Sequence, residues 1–401
     1  TGSKYGLFNR YWDDASAVNA GAITLFNADL GVFLDGSPLL GLINSSNSLV
    51  GSLGQDRVGN IGPSFLGNNN FLLSHPYWGN NQGAWTWINL NNDLLANGQA
   101  INGVVGAGNS LIGGTGGFPS GSFAYLSNLG SGNYLLINSY WDGPGAQDAG
   151  AATIFDATAG KFLDGSDLVG TISSVNSLVG NTAFDRVGEG GRQWVGGGYL
   201  LVSPHWGNNQ GAVTWFNPAT GLLATGQAFN GVLSSANSLI GGTGGDANGV
   251  YFETYNFGSS KYLLYDSEWD APGAVDAGFM TVIDGLNGDF INGTDLVGTI
   301  SSSNSLIGSS ANDRVGIWGA SFGTGGAIVE SPYWGDGQGA WTWIDDTNYL
   351  LANGQSVTGV ISAANSLVGG TAGDTNGASS YISYFDNNLV ALFNEEWDAS
   401  G

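Results

Sequence analysis

The chain has 401 residues, enough for one large repeat domain or two ordinary ones, and carries 8 Lys+Arg against 32 Asp+Glu for a net charge of −24. That balance excludes nucleic acid and anionic membranes as partners, because both need clustered cations. The absence of Cys removes thiol catalysis, thiolate metal sites and disulfides.

The chain opens at Thr1 with no Met and no leader-like apolar segment, as expected of a mature form or a piece of something larger. No apolar run is long enough to span a bilayer, so membrane insertion is not expected. The first recognisable segment is Tyr5–Asp14, YGLFNRYWDD, and its Trp12 recurs at Trp78, Trp141, Trp206, Trp269, Trp334 and Trp397. The gaps are 66, 63, 65, 63, 65 and 63 residues, the mark of a repeat architecture. Two forms alternate. One reads SYWDGPGAQDAGAATIFD (139–156) and SEWDAPGAVDAGFMTVID (267–284); the other reads SPHWGNNQGAVTWFN (203–217) and SPYWGDGQGAWTWID (331–345). These are the WD and WG forms. Asn47, Asn176 and Asn304, and Arg57, Arg186 and Arg314, recur at 129 and 128 residues, so a WD/WG pair is the larger unit.

Within one unit, 185–246, the apolar runs are short, rich in Val, Leu, Tyr, Trp and Phe, and fenced by Gly, Asn, Pro or Ser. Those are strand and hairpin signals, and no window keeps a helical period for three turns. Seventy Gly residues supply the turns. The expected fold is all-β: a β-propeller of six four-stranded blades of about 64 residues in three alternating pairs, with seven blades as the alternative. Residues 1–401 form a single domain, in which 1–55 and 374–401 jointly complete one blade.

DRVG (56–59, 186 and 314 marking its later copies), a run ending SPxW, and GAxTWFN together resemble the FG-GAP repeat of integrin α-subunit propellers. Asp56–Asn89, Asp185–Asn217 and Asp313–Asp345 carry the likeness best. The pattern, with SANSLIGGTGGD, is also similar to repeats in very large secreted bacterial proteins of the filamentous-haemagglutinin or adhesin kind. The resemblance implies an extracellular or cell-surface location and a role in adhesion. It also implies a Ca²⁺ loop of the D-x-D-x-D-G type, where this chain instead has GNNN (67–70), GSGNY (130–134) and VGGGY (195–199).

Candidate sites fall in the two kinds of Trp loop. In the WG loops Trp78, Asn80 and Gln82, Trp206, Asn208 and Gln210, and Trp334, Asp336 and Gln338 place an aromatic ring beside amides, the equipment of a sugar site. The alternative is that each Trp holds neighbouring units together. In the WD loops Asp142 and Asp148, and Asp270 and Asp276, are carboxylate pairs six residues apart, as Asp13 and Asn19 are in the first unit. They are candidate Ca²⁺ ligands or, alternatively, Asx-turn formers. Each repeated Arg, next to an Asp, suggests a buried structural ion pair. His75 and His205 are the only histidines and occupy non-equivalent places. No nucleophile elbow, Walker loop, zincin or dinucleotide motif is present, so no enzyme is expected. The sequence therefore points to a non-enzymatic extracellular binding or structural module, with a carbohydrate-binding lectin as the alternative. Its partner would be a cell-surface glycan or protein, or a second copy joined through terminal strands.

Overall fold

A computed structural model describes residues 3–115, 124–243, 253–323, 325–372, 380–386 and 389–394; for the last two segments only the backbone is described. The chain divides into two compact units. The first comprises Thr1–Glu189 with Pro218–Gly221 and Ala228–Leu233, the second Gly190–Asn217, Leu222–Gln227 and Ser234–Gly401.

The first unit holds three sheets and the second three more, one per repeat, together with a separate two-stranded hairpin, Ser380–Asp386 with Leu389–Asn394. Six sheets for six repeats is the count that the alternating sequence forms require. Among the described residues helix is confined to the single turns Trp78–Asn81, Trp206–Asn209 and Trp334–Gly337, and each of these contains left-handed residues.

The third repeat shows the plan. An edge strand, Tyr125–Gly130, pairs with Asn133–Asn138, which pairs antiparallel with Ala151–Asp156. Both faces of the two long strands are buried, which is why they read as continuous apolar runs rather than alternating ones. A two-residue closing strand, Leu178–Val179, returns to the start of Ala151–Asp156. On its other side it pairs in parallel with Gly231–Val232, a linking strand supplied by the following repeat. The same link joins Leu49 to Gly103, Leu111 to Gly170, Leu239 to Gly298 and Leu306 to Gly359. These two-residue additions explain why the sheets hold four to six strands where four per repeat were expected.

The closing strand always follows Asn-Ser, and a polar network fixes it. Thr153 Oγ1 and Ser177 Oγ lie 2.7 Å apart, both buried. The pair recurs as Thr24–Ser48, Thr86–Ser110, Thr214–Ser238 and Thr342–Ser366 at 2.6–2.8 Å. In the fifth repeat Thr281 donates instead to the Asn304 carbonyl. The preceding Asn closes the turn: Asn176 Oδ1 accepts from the Ser173 N–H, and its Nδ2 donates to the Thr171 carbonyl. Buried hydroxyls and amides are tolerated here because each has a partner.

The apolar cores span adjacent repeats. Trp85, Leu111, Phe155 and Ile172 pack together in the first unit; Leu200, Trp215, Phe279 and Ile300 do so in the second. A repeat therefore completes its core against its neighbour, as expected where each unit cannot bury its face alone.

The joint blade expected from 1–55 and 374–401 falls on a segment whose hairpin backbone alone is described, and Trp397 lies outside the described residues. That hairpin carries an irregularity between Tyr384 and Asp386 like the one between Asn128 and Gly130, so it has the form of a repeat's opening pair.

Removing one member of a buried hydroxyl pair should be felt. Ser177→Ala leaves Thr153 without its partner and is expected to destabilise the protein by about 1–3 kcal/mol in chemical denaturation. An unchanged midpoint would show that the pair contributes nothing.

Candidate functional site

The repeated Asp-Arg turn centres on its Asp, not on its Arg. Asp56, Asp185 and Asp313 are buried. Asp56 Oδ2 accepts from the Ser52 and Leu53 N–H groups at 2.8 Å, while Oδ1 accepts from the Gly79 N–H at 2.9 Å. Asp313 repeats this with Ser309, Ser310 and Gly335. The Asp185 carboxylate accepts from the Asn181 and Thr182 N–H groups. One buried carboxylate thus ties its own turn to the WG loop of the next repeat. A carboxylate that accepts several N–H donors is well compensated for burial.

The Arg that follows is not buried, contrary to the expectation of a buried ion pair. The Arg186 side chain is 29 % exposed and lies 3.4 Å from Glu189, and that of Arg314 is 34 % exposed at 3.1 Å from Asp276. Arg57 hydrogen-bonds Gln55 and stacks over Tyr77. The position instead serves the backbone, whose left-handed conformation (φ 45–49°) lets the Arg186 and Val187 N–H groups donate to Asp148 and Ala149. Gly150 must be Gly because a Cβ there would sit 2.2 Å from the Val187 nitrogen.

The same contacts occupy the WD loops. Asp142 Oδ1 accepts from the Asp148 N–H and Asp270 Oδ1 from the Asp276 N–H, both at 2.7 Å, and Asp13 does this for Asn19. The first acid therefore closes the loop, and the second faces an Arg: Asp276 pairs with Arg314. Burial, and then the neighbouring Asp142, raise the Asp148 carboxyl, with Arg186 opposing them. Among the described residues no three His, Asp or Glu side chains gather to hold a metal ion. The spacing seen in sequence is that of an Asx-type closure.

In the WG loops the three residue types take different places. Trp78 is 9 % exposed and packs with Ile23, Leu73 and Leu95; Trp206 and Trp334 are half-buried. The WD-form Trp141 and Trp269 are 2 % exposed. Gln82, Gln210 and Gln338 fold over the Gly of their own loops, where a Cβ would meet Oε1 at 2.5–2.9 Å. Asn80, Asn208 and Asp336 sit in left-handed turn positions and face solvent. The structure thus separates the three residue types that the sequence grouped. A cavity of about 490 Å³ opens elsewhere, in the first unit, beside Trp141 and Asp142 and bordered by Thr115, Ser173, Ser174 and Asn181.

The histidines differ as their places imply. His75 is fully buried against Thr86 Oγ1, and burial lowers its pKa to about 3. His205 Nδ1 meets Asn209 Oδ1 in its own loop. The buried Asp of each DR pair was hidden in sequence by the rarer Arg beside it; its signal was the Gly and short polar residues four and five positions earlier.

The family model described as a repeat of unknown function (DUF5650) matches six times, at 4–60, 65–121, 128–189, 195–250, 257–317 and 323–378. No curated protein matches the chain. Among solved structures, one titled as a crystal structure of the eukaryotic initiation factor is 10 % identical over 71 % of this chain and 73 % of that one, with a TM-score of 0.18, too low to inform fold or function.

Asp313→Ala strands three backbone donors and is expected to cost about 3 kcal/mol or more, whereas Arg314→Ala should cost about 1 kcal/mol or less. Equal effects in parallel denaturation curves would contradict the Asp-centred arrangement. His75 is neutral in the fold and takes up a proton on unfolding below its ordinary pKa of 6.5. Its contribution is complete above pH 6.5 and is lost as pH falls from there towards about 3, at up to about 1.4 kcal/mol per pH unit. The stability difference between wild type and His75→Gln should be flat above that window and narrow steadily within it.

Proposed function

We propose that the chain, which belongs to the family of that repeat of unknown function, is a non-enzymatic binding or structural module of an extracellular surface assembly of the adhesin kind. One observation carries this reading. The buried polar residues that recur with the repeat are engaged in holding the fold: Asp56 and Asp313 on backbone N–H groups, Thr153 and Ser177 on each other, while Asn176 closes its turn. A reaction centre breaks symmetry at one place, with free titratable groups converging on a pocket. Here one His is sealed in the core and the other is bonded within its loop. The net charge of −24 suits a soluble surface that repels non-specific contacts. The FG-GAP resemblance belongs to the same proposal.

The cavity beside Trp141 favours a second reading, carbohydrate binding, because it joins an aromatic wall to Asp, Ser and Asn side chains. A glycan array separates the two. Binding that is abolished in Asn181→Ala supports the lectin; an array without hits, alongside saturable binding of the labelled protein to intact cells that is lost after protease treatment of those cells, supports a protein-binding module. Turnover by the purified protein that maps to a single repeat would overturn both.

Calcium enters this reading only through the WD loops. A bound ion would stabilise the fold by about 2.7 kcal/mol at a hundredfold excess over Kd. With Asp142 and Asp270 already on backbone N–H groups, melts in EDTA and in excess Ca²⁺ should superimpose. A rise in melting temperature with Ca²⁺ that disappears in Asp276→Asn would restore the metal site.

A further inference from the structure

The WD repeats copy one another closely, yet the third departs from the other two at a few positions, and those positions lie together. Where it has Asn181 the others have Ser52 and Ser309; where it has Phe184 they have Gln55 and Asn312; where it has Gln147 they have Val18 and Val275. Gln55, Phe184 and Asn312 share a left-handed backbone (φ 70°, 67° and 64°). Asn adopts that region readily, whereas a bulky aromatic there is an outlier. Phe184 is also 51 % exposed, so core packing does not offset the strain. Strain of this kind concentrates at ligand sites.

The Phe184 N–H donates to the Gln147 carbonyl, which clips the loop bearing Asn181 and Phe184 to the WD loop. Segments of both loops, Asp142–Ala146 and Val179–Asn181, border the cavity of about 490 Å³ already described. That volume is in the range of small-molecule sites. Every lining residue belongs to the first compact unit. Ile172, Val179 and Val232 supply apolar wall; Asp142, Ser174 and Asn181 supply polar groups. Asp142 keeps Oδ1 on the Asp148 N–H, which leaves its other oxygen to accept from a ligand. The Asn181 N–H is held by Asp185, which fixes the residue while its amide side chain serves the cavity. No Lys, Arg or His lines the cavity, and the chain carries a net charge of −24.

From this lining we infer that the cavity binds a neutral acetamido sugar, an N-acetylhexosamine, with Phe184 covering one face of the ring. The inference rests on the carbohydrate reading above and narrows it. A plain hexose is hydroxylated all round and would bury hydroxyls unpaired against Ile172, Val179 and Val232. An acetamido sugar brings a methyl group for that wall and keeps hydroxyls for Asp142, Ser174 and Asn181. An acidic sugar would set its carboxylate beside Asp142 with no cation to pair it, which costs binding. Phe184 then explains its own strain, since an exposed aromatic ring at the rim is a platform for the apolar face of a sugar.

Saturation-transfer NMR tests this, with N-acetylglucosamine and N-acetylgalactosamine as ligands and glucose, galactose and N-acetylneuraminic acid as comparisons. At least one N-acetylhexosamine should show saturable transfer, strongest at the acetyl methyl. The plain hexoses should bind about tenfold more weakly or not at all, and N-acetylneuraminic acid should not bind. Asn181→Ser and Phe184→Asn place in this repeat the residues that Ser309 and Asn312 provide in the fifth, so the fold has an internal precedent for both. Each should weaken binding about tenfold. The melting temperature should hold in Asn181→Ser and hold or rise in Phe184→Asn, where the strained aromatic is gone. Full affinity in either variant, or binding of N-acetylneuraminic acid, would overturn the inference. Plain hexoses that bind as tightly as the acetamido sugars, and are lost in Asn181→Ser, would overturn the acetamido choice and leave the carbohydrate reading standing. Transfer to none of the five sugars would remove both, and leave the protein-binding reading untouched.

Discussion

The two-residue closing strand is the constraint on which the rest of this structure depends. It is too short to hold itself, since two residues offer few ladder bonds. It stays because its Leu is fully buried in five of six repeats, and because the Ser before it bonds a Thr 24 residues earlier while the Asn before that closes its turn. Once fixed, it presents one edge to its own sheet and the other to the next repeat. The parallel link that results carries the order from repeat to repeat. Stability in such an array is a sum of units and nearest-neighbour interfaces, so the interface dipeptide matters more than its length suggests.

The WD and WG loops serve the same end by different chemistry. A WD loop is closed by its first Asp and zipped by backbone hydrogen bonds to the Asp-Arg turn. A WG loop is a left-handed double turn whose Gly N–H is held by the buried Asp of the preceding repeat at Asp56 and Asp313. Alternation follows from these pairings: the Asp-Arg turn belongs to the WD repeats, and the WG loop is what the turn grips. The WG repeats in turn supply Trp87 and Trp215, which reach forward into the following WD repeat. Each form therefore provides what the other lacks, which explains a period of two repeats rather than one.

Much of this was legible in the sequence. Period, strand content, alternation and the six-repeat count follow from the spacing of Trp12 to Trp334 and from short apolar runs fenced by turn residues. The site was less legible. Trp78, Asn80 and Gln82 are adjacent in sequence, but a turn with two left-handed residues sends the ring inward, folds the Gln over Gly79 and leaves the Asn outside. Carboxylates six residues apart read equally as metal ligands or Asx-turn formers, because composition does not reveal which oxygens a backbone N–H has claimed. Arg186 drew attention as one of eight cations, while the chemistry lay one residue earlier, in an Asp that is common in this chain. The linking Gly was unreadable as a strand, since a two-residue ladder leaves no periodicity.

Amide hydrogen exchange reads the central constraint directly. The N–H groups of Gly103, Gly170, Gly231, Gly298 and Gly359 each donate to the Ser that precedes a closing strand. These five should be strongly protected. Rapid exchange at the five would contradict the view that the closing strand joins each repeat to the next.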